Sequence, residues 1–138
     1  MTPEQIKSVQ DSFSLVLPIA DQAASIFYKK LFELDPSLEA LFSGDMEEQG
    51  KKLMKMLGAA VNGLNNLEEL TPVVQELGKR HVNYGVKDKD YDVVGGALLY
   101  TLETGLGEGY SEEVKDGWVT AYTLLATVMK EAASEVPA

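Results

Sequence analysis

Cysteine is absent from the 138 residues, and histidine occurs once, at position 81. With no cysteine, the fold cannot rest on disulfides and no thiol nucleophile is available. A structural zinc site needs four Cys- or His-type ligands, and a di-iron bundle built on Glu-x-x-His elements needs two histidines, so both are excluded. Basic residues are scarce: 12 Lys and Arg stand against 22 Asp and Glu, for a net charge of −10. That balance speaks against nucleic acid, whose phosphates call for clustered Lys and Arg, and against an anionic membrane surface. Lys29-Lys30 and Lys51-Lys52 are isolated pairs on solvated helix faces. No apolar run approaches the length of a bilayer span. Met1 is followed by Pro3, Glu4, Lys7 and Asp11 rather than by a basic and then apolar cleavable pattern, so a cytoplasmic protein is expected. No serine sits in a Gly-x-Ser-x-Gly elbow. The stretch "GLGEGY" at 105–110 lacks the Lys-Ser/Thr of a phosphate loop and reads as a helix-joining loop.

What is present is helical. A hydrophobic fraction of 45% and a charged fraction of 25% suit one soluble domain spanning 1–138. Thr2-Pro3-Glu4-Gln5 supplies a cap, a first-turn proline and Gln three after the cap, and Ile6, Val9, Phe13 and Val16 follow as an apolar stripe. A second segment carries Ala20, Ala23, Ala24, Phe27, Leu31 and Phe32. Asp35-Pro36 then opens a short turn through Leu38 and Leu41 to Phe42. Asp45, with Glu48 three residues later, looks like another capping box and opens a helix with Leu53, Met56, Leu57 and Ala60 or Val61 on one side. The pattern breaks at "NGLNNLEEL" and is expected to restart at Thr71-Pro72. Another helix starts at about Tyr91, with Val94, Leu98 and Leu102, and Ser111 opens the longest, with Val114, Trp118, Ala121, Leu125 and Val128. β-branched alternation of strand type appears nowhere. The reading is all-α: about seven helices of unequal length around one core, which suits an orthogonal fold better than an up-down bundle.

His81 lies four residues after Leu77, seven after Val74 and eight after Val73, on their apolar face and close to the helix end. A core histidine held by a hydrogen bond, an acid/base catalyst and a metal ligand all remain open for it. A lone imidazole is also what a haem iron requires, since the porphyrin supplies the other four ligands. Tyr28 sits on the buried side of its helix, where its hydroxyl needs a partner or a function. Gln49 precedes Leu53 by one turn, so the two could roof one cavity. Together Tyr28 and Gln49 look like the ceiling of a ligand pocket.

The segments "FYKKLFELDPSLEALF", "QGKKLM", "LGKRHVNYGV", "YDVVGGALLYTL" and "GWVTAYTLLATVM" resemble the globin domain of bacterial flavohaemoglobins and single-domain haemoglobins. The resemblance covers nearly the whole chain. It includes the pair Phe27-Tyr28, Pro36, Leu41-Phe42 and the His-x-x-x-Gly-Val run. It implies the three-over-three helical sandwich of the globin fold, with a short or absent fourth helix, and a haem b cofactor (iron protoporphyrin IX). His81 matches the proximal ligand, binding iron through Nε2 while Nδ1–H is held by an acceptor. Phe42 matches the aromatic residue that wedges against the haem. Tyr28 matches the distal donor to dioxygen, and Gln49 and Leu53 match the polar gate and the apolar residue over the iron. Leu77, Val86 and Val94 would pack on the porphyrin, and Lys52 or Arg80 would pair with a propionate.

The family also couples its proximal histidine to a Tyr and a Glu. Tyr91 matches the tyrosine, but the glutamate position, counted along the last helix from Tyr122, falls on Ala133. Glu131 and Glu135 are each two residues away, on roughly the opposite face. Nothing in 1–138 resembles the flavin and NADH domain of flavohaemoglobins. The resemblance therefore implies reversible dioxygen binding, with conversion of nitric oxide to nitrate dependent on a separate reductase. A sensor-type or haem-free interaction module on the same fold is the alternative.

Overall fold

The computed structural model describes residues 2–42, 45–83 and 86–135, without the side chains of Leu41, Asn83 and Asp88. Among these residues six α-helices run in order: α1 (Pro3–Val16), α2 (Ala20–Leu34), α3 (Met46–Asn62), α4 (Leu67–Asn83), α5 (Asp88–Leu106) and α6 (Glu112–Ser134). Four short 3-10 turns lie between them: Leu17–Ile19, Pro36–Leu41, Gly63–Asn65 and Gly107–Gly109. The proline-led third segment is thus a 3-10 turn and not an α-helix, which accounts for six helices where about seven were expected. No helix among the described residues is long and apolar enough to cross a membrane.

The capping residues read from the sequence close the helix ends they were assigned. Thr2 and Gln5 form a reciprocal capping box, with the Gln5 N–H donating to Thr2 Oγ1 at 3.1 Å and the Thr2 N–H to Gln5 Oε1 at 2.9 Å. Asp45 accepts from the N–H of Glu47 at 2.9 Å, a simple cap rather than the box expected with Glu48, and Ser111 accepts from that of Val114 at 3.2 Å.

Two starts differ from expectation. α4 begins at Leu67, not at Thr71, and runs through Pro72. A proline six positions into a helix removes one donor and leaves the Glu68 carbonyl without its usual partner. Here both Glu68 and Pro72 are exposed, so water can serve that carbonyl, while the Thr71 hydroxyl donates to Leu67 O at 2.7 Å. Leu70 and Val74, one turn apart across the proline, are both buried, and their packing keeps the helix continuous. α5 begins at Asp88, three residues before Tyr91, because the Asp90 carboxylate accepts from the Lys87 N–H at 2.9 Å and closes an earlier first turn. Val73 is also corrected. It is 61% exposed, since eight residues from His81 leave it about 80° off that line, whereas Val74, at seven, stays within about 20° and is buried.

Packing follows the apolar stripes. α2 lies against α5 and α3, α1 against α6, and α4 against α6. This pairing sets α1, α3 and α4 over α2, α5 and α6. The core includes Val9, Phe13, Phe27, Leu31, Leu98 and Trp118. α4 and α6 approach closely at Gly78, where a Cβ would stand 2.5 Å from the backbone oxygen of Met129. Only glycine permits that approach. By contrast α3 and α4 both touch the Gly63–Asn65 turn that joins them and otherwise make little direct contact. They form a V, with the Gln49 end of α3 and the His81 end of α4 at its open side.

One buried polar link ties α1 to α6. Trp118 Nε1–H donates to Ser12 Oγ at 2.8 Å, and the Ser12 hydroxyl reaches Ser8 O at 2.7 Å. Both side chains are buried, so Ser12→Ala strands an indole N–H and should cost about 1–3 kcal/mol. A urea melt with unchanged slope and a lower midpoint is the expected result. An unchanged midpoint would show that the indole finds another acceptor.

Candidate functional site

On the α2 side of the V, the stripe that buries Phe27 and Leu31 also buries Tyr28. Its hydroxyl donates to the backbone carbonyl of Gln49 at 3.3 Å, joining α2 to the first turn of α3. Burial pushes the Tyr28 phenol up to about 12, so it stays protonated, and a donor, through the neutral range. The Tyr28 ring meets Phe42 edge-on with centroids 5.3 Å apart, and Phe32 meets Phe42 at 5.6 Å. Phe42 is held there because Asp35 accepts from the Ser37 N–H at 3.1 Å and starts the turn that ends beside it. Gln49 and Leu53 are half-buried. Leu53 lines a small internal cavity together with Phe27, Met54, Leu57 and Leu98. The one hydroxyl on that lining, of Thr101, donates to Ala97 O at 2.8 Å, so the cavity presents an apolar surface.

On the α4 side, His81 is half-buried two residues before the helix ends. Its Nδ1 lies 2.7 Å from the carbonyl oxygen of Leu77. A carbonyl only accepts, so Nδ1 carries the hydrogen and the lone pair resides on Nε2. That is the tautomer a metal-ligating imidazole needs. Leu77, Val86 and Val94 are half-buried, and the Val86 N–H donates to His81 O at 3.0 Å. Tyr91 is buried, while Lys52 and Arg80 are exposed on α3 and α4. Tyr84 and the Gly85 of the His-x-x-x-Gly-Val run lie outside the described residues.

Two contacts were missed from the sequence. The Tyr122 hydroxyl donates to the Tyr91 carbonyl at 2.6 Å, and Lys130 places its ammonium 5.6 Å from the centre of the Tyr91 ring. Their spacing of eight, two turns on one helix face, was the available signal. Burial, and behind it the charges of Tyr91 and Asp92, raise the Tyr122 phenol far above its ordinary value, so it too remains a donor. Ala133 is half-buried, whereas Glu131 and Glu135 are exposed.

Among the described residues no group of three or more His, Cys, Asp or Glu converges. His81 could therefore hold a metal only as one ligand to an ion that brings the others with it. An imidazole of fixed tautomer on α4, and a buried donor on α2 with aromatic neighbours, fit a haem in this way.

Comparison with known proteins bears on the family and the fold. The globin family model matches residues 25–129. Neuroglobin-1 of Oncorhynchus mykiss is 34% identical over 118 residues, which cover 75% of this chain and 74% of the relative. The flavohemoprotein of Halalkalibacterium halodurans is 33% identical over 121 residues, 80% of this chain but 29% of that larger protein. A bacterial globin from Campylobacter jejuni superposes with a TM-score of 0.83 at 27% identity over 97% of both chains. Matched by the family model over residues 25–129, and with the six helices of its described residues in the three-over-three arrangement, the chain belongs to the globin family.

Proposed function

We propose that residues 1–138 act as one haem-binding globin domain, with His81 as the protein ligand to the iron and Tyr28 and Gln49 lining the ligand side. The observation that carries this reading is the 2.7 Å contact between His81 Nδ1 and Leu77 O, which leaves Nε2 as the coordinating atom. The haem would be b-type, since a chain without cysteine cannot form the thioether bonds of a c-type group. Haem iron would supply reversible binding of dioxygen and, through it, oxidation of nitric oxide to nitrate. The protein's part is to hold the porphyrin between Phe42 and Leu53 on one side and Leu77, Val86 and Val94 on the other. Tyr28 offers a hydrogen-bond donor, and Lys52 and Arg80 offer cations at the rim for the propionates. A cysteine-free, acidic chain also suits the cytoplasm, where a separate reductase could return the iron to the ferrous state.

Adding haem to the purified chain should produce a Soret band. Stopped-flow mixing of the reduced, dioxygen-loaded protein with nitric oxide should then yield one rapid round of nitrate formation, with turnover stopping until a reductase is supplied. No Soret band would leave a haem-free interaction module as the better reading. A Soret band without nitrate would leave dioxygen storage or delivery.

A further inference from the structure

α6 brings two side chains to a single residue of α5. Tyr122 holds the Tyr91 carbonyl, reaching it by lying against Gly95, where a Cβ would stand 2.8 Å from its ring. Two turns later the Lys130 ammonium lies 5.6 Å from the centre of the Tyr91 ring, within the range of cation–ring attraction. Lys130 is half-buried. Among the described residues the ion pairs within 4 Å are Lys7–Asp11 and Lys30–Glu33, so the Lys130 charge has no carboxylate at that range. The carboxylates nearest in sequence to Tyr91 are Asp90, buried and bonded to the Lys87 N–H, and Asp92, which is exposed.

The same stretch of α6 seats the helix that carries His81. Met129, next to Lys130, is the backbone that Gly78 approaches, and His81 follows Gly78 by three residues, a same-face neighbour at about 5–6 Å between side-chain positions. From His81 the chain is tied on through His81 O to Val86 N–H, and through Lys87 N–H to Asp90, directly before Tyr91. Lys130 therefore stands beside the seat of the histidine's helix and over the residue to which its connection leads.

We propose that Lys130 is an electrostatic determinant of the iron's redox preference, its positive charge on the His81 side of the cleft favouring the ferrous state. This rests on the haem reading above. Ferric haem carries one more positive charge than ferrous haem, so a nearby cation disfavours oxidation. A half-buried charge is also screened less by salt than an exposed one.

The test is spectroelectrochemical titration of the haem-loaded full chain as wild type and as Lys130→Arg, Lys130→Met and Lys130→Glu. Lys115→Met serves as an exposed control at the other end of α6, about 22 Å away along the helix. The midpoint potential is expected to stay at the wild-type value in Lys130→Arg, fall in Lys130→Met and fall further in Lys130→Glu, at low and at high salt. Lys115→Met should not move it. Spontaneous oxidation in air should quicken in the same order. Potentials in Lys130→Met and Lys130→Glu equal to wild type, or an equal fall in Lys115→Met, would overturn the proposal while a normal Soret band left the haem reading standing. A wild-type chain without a Soret band would overturn both. The arginine and methionine variants both change the shape at position 130, so an order that follows charge separates electrostatics from packing.

Discussion

Replacement of His81 by alanine is expected to strip the protein of most of its haem during purification, and added imidazole should partly restore the wild-type spectrum. No other histidine and no cysteine exists in the chain to take over the iron. Loss of an outer-shell partner to a ligating histidine already costs roughly 10–100-fold in affinity, and loss of the ligand itself should exceed that. The structure explains why rescue should work. The Leu77 carbonyl that orients the ring belongs to the helix backbone and survives the substitution, so exogenous imidazole finds both the space and the acceptor. Haem content and spectrum are the readouts. A variant that kept both at wild-type values without imidazole would sink the assignment of His81.

The second large effect is expected at Tyr28. Dioxygen on ferrous haem carries partial negative charge, and a hydrogen bond to a charged acceptor contributes about 1.5–3 kcal/mol. Tyr28→Phe should therefore speed dioxygen release roughly ten- to hundredfold, at about 1.4 kcal/mol per decade. The hydroxyl must leave the Gln49 carbonyl to serve a ligand, but at 3.3 Å that bond is long for O–H···O and little is lost by breaking it. Gln49→Leu should have the smaller effect, because the carbonyl that Tyr28 uses stays in place. Flash-photolysis off-rates that did not change in either single variant or in the double would defeat the distal-donor reading.

The Tyr28 effect should be flat with pH through the neutral range, since burial holds the phenol protonated. The folded-state value of about 12 exceeds the ordinary 10.0. The stabilisation linked to protonated Tyr28 is therefore fully present below about pH 10 and is lost as pH rises through about 12.

The sequence alone determined the class of the fold and the polarity of most helix ends, and it offered a single imidazole, that of His81, for the proposed iron ligand. These features are local or are settled by counting. Thr2, Asp45 and Ser111 can cap because their side chains reach an N–H two or three residues ahead, and a single histidine leaves one imidazole to propose as the ligand. The sequence could not place the starts of α4 and α5. Pro72 is tolerated inside α4 only because Leu70 and Val74 are buried against other helices, and a proline by itself argues for a boundary. Tertiary structure also decided where the hydroxyl of Tyr28 goes. The links from Tyr122 and Lys130 to Tyr91 span 31 and 39 residues, and helical periodicity shows which residues share a face but not what that face will meet. That pairing depends on helix packing, here set by the close approaches at Gly78 and Gly95, and it became legible only once α4, α5 and α6 were assembled.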